Sequence, residues 1–309
     1  MNILFASDTD RPDEWIPELQ ARLPEASFRI WPDTGPPEAI DYAVVWKPEP
    51  GLLAGLPNLK GILSLGAGVD PMMADDTLPD HVPLVRMVDE GLTEGMTEYV
   101  CWQVLAIHRQ AAAYRAFQAE ARWRQLDQKL ARERTVGIMG LGVLGTDAAR
   151  ALAGLRFDMR GWSRREKAID GVATFHGEAG LDAFLDGLEI LVCLLPLTPD
   201  TRGILNARLF DRLPRGAWLI NAGRGGHLVE ADLLAALDDG RLAGATLDVF
   251  QPEPLPRDHA FWRHPAITVT PHVASITHAR TAAAGLAEEI RRLERGEPPI
   301  HPVDRARGY

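Results

Sequence analysis

Residues 135–165, TVGIMGLGVLGTDAARALAGLRFDMRGWSRR, restrict the fold more than any other stretch of the chain. An apolar, β-prone run from Val136 to Met139 ends in Gly140-x-Gly142-x-x-Gly145. An alanine-rich helical pattern follows to about Leu155, and a second strand pattern, Asp158 to Trp162, stops at Ser163-Arg164-Arg165. The reason for the glycines is steric. Gly140 permits the tight turn out of the strand, Gly142 lets backbone approach a pyrophosphate, and Gly145 lets the helix pack close to the sheet. The first helical residues, Val143, Leu144 and Gly145, then turn their amides and the positive end of the helix dipole towards the phosphates. A lone GxGxxG is a weak signal. Here a strand precedes it, a helix follows, and the second strand ends 23 residues past the first glycine, as a dinucleotide site requires. An ordinary βα turn, or the similar loop of a methyltransferase, is the alternative.

Length allows two domains, since 309 residues can fill two cores. The net charge is −10 and no long basic run occurs, which argues against nucleic acid or an anionic membrane as a partner. In so acidic a chain the Arg164-Arg165 pair carries more information. Cys101 and Cys193 each sit inside an apolar pattern, one helical and one strand-like. They read as small buried hydrophobes in a reducing compartment, without a disulfide framework or a zinc quartet. The N-terminus, MNILFASDTD, has no basic flank and meets Asp8, so it does not read as a signal peptide. Ile190 to Leu197, the longest apolar run, is too short to span a bilayer. The expected location is the cytoplasm.

Strand candidates in the first third are residues 2–6, Phe28–Trp31, Tyr42–Trp46, Gly61–Leu65 and Leu84–Val88. Helical or Pro/Gly-rich connections separate them, so residues 1–97 read as one α/β unit with a parallel sheet. A long helical pattern without Gly or Pro runs from Thr97 to about Gln118, followed by a charged arm containing Trp123. Beyond Arg165 the strands are Ile190–Leu195, Trp218–Asn221, Thr246–Phe250 and Ile267–Thr270. Helices fit between them, such as Glu230–Asp239 closing at Gly240. Residues 98–280 thus form a second unit, doubly wound around the glycine loop. A last helix, about His278 to Arg295, packs on one of the two.

Ligands of open parallel sheets bind beyond the carboxyl ends of the strands. Those ends carry Asn221-Ala222-Gly223-Arg224, then Asp248 and Pro252-Glu253-Pro254, then Thr270-Pro271-His272. Singly, Arg224 reads as a turn arginine, Glu253 as a solvated loop acid and His272 as a satisfied loop histidine. Together they are the parts that hydride transfer to a keto acid needs. The arginine fork can bind a carboxylate and polarise a ketone. The imidazole can give a proton to the nascent alkoxide, and the glutamate can hold its tautomer and favour the imidazolium. A metal role for His259, His264 and His272 has no matching spacing, and no metal is expected.

Four segments in this order, Gly140–Gly145, Asn221–Gly225, Leu247–Pro254 and Thr270–Ala274, closely resemble the signatures of the D-2-hydroxyacid dehydrogenase family. Within it the chain is most similar to the glyoxylate/hydroxypyruvate reductases, over nearly its whole length. The resemblance implies two doubly wound parallel-sheet domains: a Rossmann-type cofactor domain, 98–280, and a smaller flavodoxin-like substrate domain, 1–97 with 281–309. It implies Arg224 as the substrate arginine, His272 as general acid/base and Glu253 as its partner. Asp248 would lie against the nicotinamide, with Leu195, Pro196, Asn221, Ala222 and Gly223 also lining the cofactor. Gly66, Ala67 and Gly68 would offer amides to the substrate carboxylate. Trp46 lines the pocket or packs in the core, and Lys47 and Arg86 stand at neighbouring strand ends. A homodimer through the helix after Thr97 and the Trp123 arm is implied as well.

The chain departs from the broader family in one place. Most relatives end the second strand with an aspartate for the ribose of NAD, whereas this chain has Ser163-Arg164-Arg165, which predicts NADP(H) in preference to NAD(H). The expected activity is reduction of glyoxylate, hydroxypyruvate or a similar small 2-keto acid. A larger keto acid such as phenylpyruvate, and a non-catalytic nucleotide-sensing protein on the same fold, are the alternatives.

Overall fold

The structure is a computed structural model and describes residues 1–308. The chain forms two compact units, Met1–Leu92 with the residues from Ile276 onward, and Thr93–Ser275. Both crossings lie a few residues before the boundaries at 97 and 280 expected from sequence.

In the first unit β1 (Asn2–Ser7), β2 (Ser27–Ile30), β3 (Tyr42–Trp46), β4 (Gly61–Ser64) and β5 (Leu84–Val85) form a parallel sheet in the order β2-β1-β3-β4-β5. This is the flavodoxin-like order. Ile3, Leu4, Phe5 and Ala6 are all buried, because a parallel strand covered on both faces needs a continuous apolar run. The helix Ala279–Glu294 covers one face through Ala282, Ala283, Leu286, Ala287 and Ile290, whose three- and four-residue spacing makes a single stripe. Its Glu289, 4% exposed, accepts the Ile300 and His301 amides at 2.9 and 3.0 Å and so ties down the tail.

In the second unit β6 (Thr135–Met139), β7 (Asp158–Ser163), β8 (Ala173–His176), β9 (Ile190–Cys193), β10 (Ala217–Asn221), β11 (Leu242–Leu247) and β12 (Ile267–Val269) are also all parallel. Their order is β12-β11-β10-β9-β6-β7-β8. The order reverses between β6 and β9, which is the doubly wound dinucleotide-binding arrangement, and the glycine loop leaves β6 at that switch point. The fold is therefore two parallel-sheet α/β domains.

Several elements differ from their sequence expectation. The long helix begins at Glu90 and ends at His108, and a separate helix runs over Ala111–Ala119. Asp89 caps its start by accepting the Leu92 amide at 3.1 Å, which outweighs the two glycines in residues 90–97. Gln110, at φ +56°, breaks it. Strand β11 starts at Leu242, ahead of the expected Thr246. Its Gly244 is a packing requirement, since a Cβ there would lie 2.2 Å from the Trp218 ring. Strand β8 was not anticipated; it is an edge strand with two exposed and two half-buried residues, so no apolar run announces it. Among the described residues no helix is long and apolar enough to cross a membrane.

Candidate active site

The glycine loop is built as its spacing demands. Gly140 has φ +103°, and a Cβ there would stand 2.6 Å from the Leu194 carbonyl oxygen. At Gly145 a Cβ would fall 1.9 Å from the Gly140 oxygen, so only hydrogen fits where the helix Val143–Gly154 meets the turn. Gly142 differs from both: a Cβ there would meet nothing within 4 Å. Its missing side chain leaves open space beside helix amides that have no intrahelical acceptor, as a bound pyrophosphate would require. The residues present fit a dinucleotide.

At the end of β7, Ser163 is buried and its hydroxyl donates to the Arg165 carbonyl at 2.7 Å, which folds the segment into a turn. Arg164 and Arg165 stand exposed beyond it. Lys167, which no sequence pattern marks, returns to the glycine loop and donates to the Leu141 carbonyl at 2.5 Å. It is a third cation in Arg164-Arg165-Glu166-Lys167, but no spacing rule sends it back to the loop.

Past β10, Asn221 is fully buried and closes a turn on itself. Its Oδ1 accepts the Gly223 amide at 3.2 Å, and its Nδ2 donates to the Arg224 carbonyl at 3.1 Å. The Arg224 amide donates to His227 Nδ1 at 3.1 Å, so the His227 proton sits on Nε2, 3.2 Å from the Pro196 carbonyl. The guanidinium Nη1 of Arg224 donates to the Gly223 carbonyl at 2.8 Å. Ala222 is held by the Cys193 carbonyl at 3.2 Å, and Leu195 is buried beside it. His227 is thus a structural pin that sequence reasoning missed, because one buried histidine in a glycine-rich turn has no periodicity to mark it.

Past β11 and β12 the chain brings Asp248, Glu253 and His272 together. His272 Nδ1 lies 2.9 Å from Glu253 Oε2, and Glu253 Oε1 accepts the Phe250 amide at 3.0 Å. The carboxylate fixes the tautomer: Nδ1 donates to it, which leaves Nε2 to carry the exchangeable proton. Asp248 has no exposed surface, and burial pushes its carboxyl above the usual aspartate range. Hydrogen bonds from Thr270 (2.6 Å), the Val273 amide (3.0 Å) and the Ala274 amide (2.9 Å) oppose that shift. Burial pushes the Cys193 thiol up to about 12, so it is no nucleophile.

The first unit has its own strand-end loop, Ser64 to Asp70. The Gly66 amide already donates to the Ser64 hydroxyl at 3.2 Å, whereas those of Ala67 and Gly68 donate to nothing among the described residues. Trp46 packs over Gly66, where a Cβ would lie 2.4 Å from its ring, and against the core beneath. Among the described residues no group of three or more His, Cys, Asp or Glu is placed to hold a metal ion.

Residues 101–274 match the family described as D-isomer specific 2-hydroxyacid dehydrogenase, NAD binding domain. The chain belongs to the D-2-hydroxyacid dehydrogenase family. It is 46% identical to glyoxylate/hydroxypyruvate reductase A of Serratia proteamaculans over the full length of both chains. A D-isomer specific 2-hydroxyacid dehydrogenase from Xanthobacter autotrophicus, solved with NADPH and MES, is 46% identical with a TM-score of 0.96, covering 100% of this chain and 99% of that one. An NADPH-dependent glyoxylate/hydroxypyruvate reductase from Sinorhizobium meliloti, solved with NADP and sulfate, is 46% identical with a TM-score of 0.94 and the same coverage. In this dehydrogenase, then, the arginine, the glutamate–histidine pair and the glycine loop all stand at the carboxyl ends of one sheet.

Proposed function

We propose that the enzyme reduces a small 2-keto acid, glyoxylate or hydroxypyruvate, to the D-2-hydroxy acid with NADPH. The observation that carries this reading is the His272–Glu253 pair, 2.9 Å apart at the same sheet edge as the glycine loop. The full-length similarity to reductases of these acids supports the substrate class.

NADPH, when bound, supplies the hydride. Gly140, Gly142 and the amides of Val143, Leu144 and Gly145 would hold its pyrophosphate, and Arg164, Arg165 and Lys167 would take its 2′-phosphate on the turn that Ser163 shapes. Leu195, Pro196, Asn221, Ala222, Gly223 and Asp248 line the rest of its site. Arg224 binds the keto acid through its planar fork and draws electron density from the ketone. His272 gives its Nε2 proton to the carbonyl oxygen as that oxygen becomes an alkoxide. Glu253 holds Nδ1–H throughout and favours the imidazolium that must form first. In the first unit, taken by resemblance as the substrate domain, the amides of Ala67 and Gly68 are donors suited to a carboxylate. Arg86 stands at a strand end of the same unit, and burial holds its guanidinium below the usual arginine range.

Steady-state oxidation of NADPH with a panel of keto acids tests the reading. Glyoxylate and hydroxypyruvate should give the highest kcat/KM and phenylpyruvate a much lower one. No turnover with any 2-keto acid would overturn it. We further infer a cytoplasmic homodimer. Trp102, Leu105, Tyr114, Trp123 and Leu130 all stand exposed within residues 102–130, an apolar surface that a second copy would cover. Sedimentation should give twice the chain mass of 33.9 kDa.

A further inference from the structure

We infer that Tyr99 and Thr270 are positioning residues for the proton-transfer step: their two hydroxyls form a relay that ends on Asp248 and holds the loop carrying His272. The inference rests on His272 being the general acid, as proposed above.

His272 needs holding. Its φ of +55° lies in the left-handed region, which non-glycine residues adopt rarely, and it is 33% exposed at its side chain. Glu253 secures the ring, and the backbone is secured mainly by Asp248, with the Thr270 carbonyl a second, longer acceptor of the His272 amide at 3.1 Å. The Asp248 carbonyl accepts the His272 amide at 2.8 Å, and its carboxylate accepts the next two amides, Val273 and Ala274. Residues 272–274 are thereby stapled to the end of β11.

The same carboxylate depends on its third donor. Two main-chain N–H groups point at it, so it is an acceptor, and the Thr270 hydroxyl 2.6 Å from Oδ1 must donate. Thr270 has then spent its only hydrogen. Its lone pair faces the Tyr99 hydroxyl at 2.7 Å, so the phenol must be the donor there. The direction of the chain is therefore fixed: Tyr99 O–H to Thr270, Thr270 O–H to Asp248. Tyr99 is 6% exposed, and burial raises its phenol, which keeps it a neutral donor. Its ring is held edge-on by Trp102, with ring centres 5.8 Å apart. One turn along the same helix, Gln103 meets the Thr246 hydroxyl at 3.5 Å, so two residues of this helix reach hydroxyls near the ends of β11 and β12. A buried carboxylate that loses a donor must recruit another or protonate, and either change weakens or shifts the group to which the loop is stapled.

The test is a set of three variants of the full chain, assayed with NADPH and glyoxylate, with folding followed separately by thermal melting. Thr270→Val keeps the shape and removes the hydroxyl. It should lower kcat by about tenfold, with KM for glyoxylate and for NADPH within about twofold of wild type, because only an arrangement used in the transition state is lost. Thr270→Ser restores the hydroxyl and should recover most of the rate. Tyr99→Phe, which keeps the ring, should lower kcat by about threefold, the share of a donor one bond removed. Wild-type kcat in a folded Thr270→Val, or equal impairment in Thr270→Ser, would overturn the inference, the latter because methyl packing would then be the role. If Thr270→Val does not fold, Tyr99→Phe decides alone, and an unchanged kcat overturns the relay. Full activity in His272→Ala would instead overturn the reading of the site itself.

Discussion

The two halves of the same sheet edge are built differently. Beyond β7 the cations Arg164 and Arg165 stand exposed, Lys167 turns back to the Leu141 carbonyl, and one buried hydroxyl, Ser163, shapes their turn. Beyond β10, β11 and β12 the site's polar groups are held by hydrogen bonds to the main chain or to one another. Asn221 and His227 fix the backbone at Arg224, Phe250 fixes Glu253, and Asp248 fixes the His272 loop. The difference follows from what each half must do. Choosing between two cofactors needs only a net attraction, and solvent-exposed charges supply it at a screened, modest strength. Chemistry needs groups already in place, because reorganisation during the reaction would cost rate. Changes at the pinned edge should therefore act on kcat, and changes at the loose edge on cofactor binding.

The sharpest test is His272→Ala, which should lower kcat by about 10²–10⁴-fold while NADPH affinity, read by fluorescence titration, stays near wild type. A parallel loss of NADPH affinity would erase the distinction between the edges. At the loose edge, replacing both Arg164 and Arg165 with alanine should remove an NADPH-over-NADH preference of about 30- to 150-fold, leaving NADH use unchanged. The wild-type preference should itself shrink as salt rises, and equal kcat/KM for both cofactors before mutation would refute the assignment. Arg224→Lys returns to the pinned edge: kcat/KM for the keto acid should fall about 10- to 100-fold, since a point charge replaces a fork. Lys167→Met should have the smallest effect, about threefold on KM for NADPH, as expected of an exposed cation.

The legibility of the chain divides along similar lines. Strand β3, Tyr42–Trp46, is where the sequence placed it, because four of its five residues are buried and a continuous apolar run results. The doubly wound order and the glycine loop were legible for a steric reason, since Gly140 and Gly145 admit no Cβ. Arg224, Glu253 and His272 were picked out by their strand-end positions, and the structure brings Glu253 and His272 into contact. Hidden elements are those whose sequence signal comes from elsewhere in the fold. Strand β8 borrows its order from β7 alone, Gly244 is set by the Trp218 ring, and Gln110 breaks a helix that its neighbours' propensities would continue. Lys167 and His227 belong to the same class, each acting through a backbone carbonyl or amide that local pattern cannot foresee.

The helix Ala279–Glu294 supplies five buried residues, Ala282, Ala283, Leu286, Ala287 and Ile290, to a core otherwise drawn from the first 92 residues. Translation therefore delivers this protein out of order. A ribosome releases the contiguous span Thr93–Ser275 complete, while one face of the N-terminal sheet, made first, has only the helix Pro12–Arg22 to cover it. Domains usually mature from the N-terminus as they are synthesised. Here the oldest strands wait for the youngest helix, and the half-covered part of their apolar face is what a chaperone would have to shield on the nascent chain.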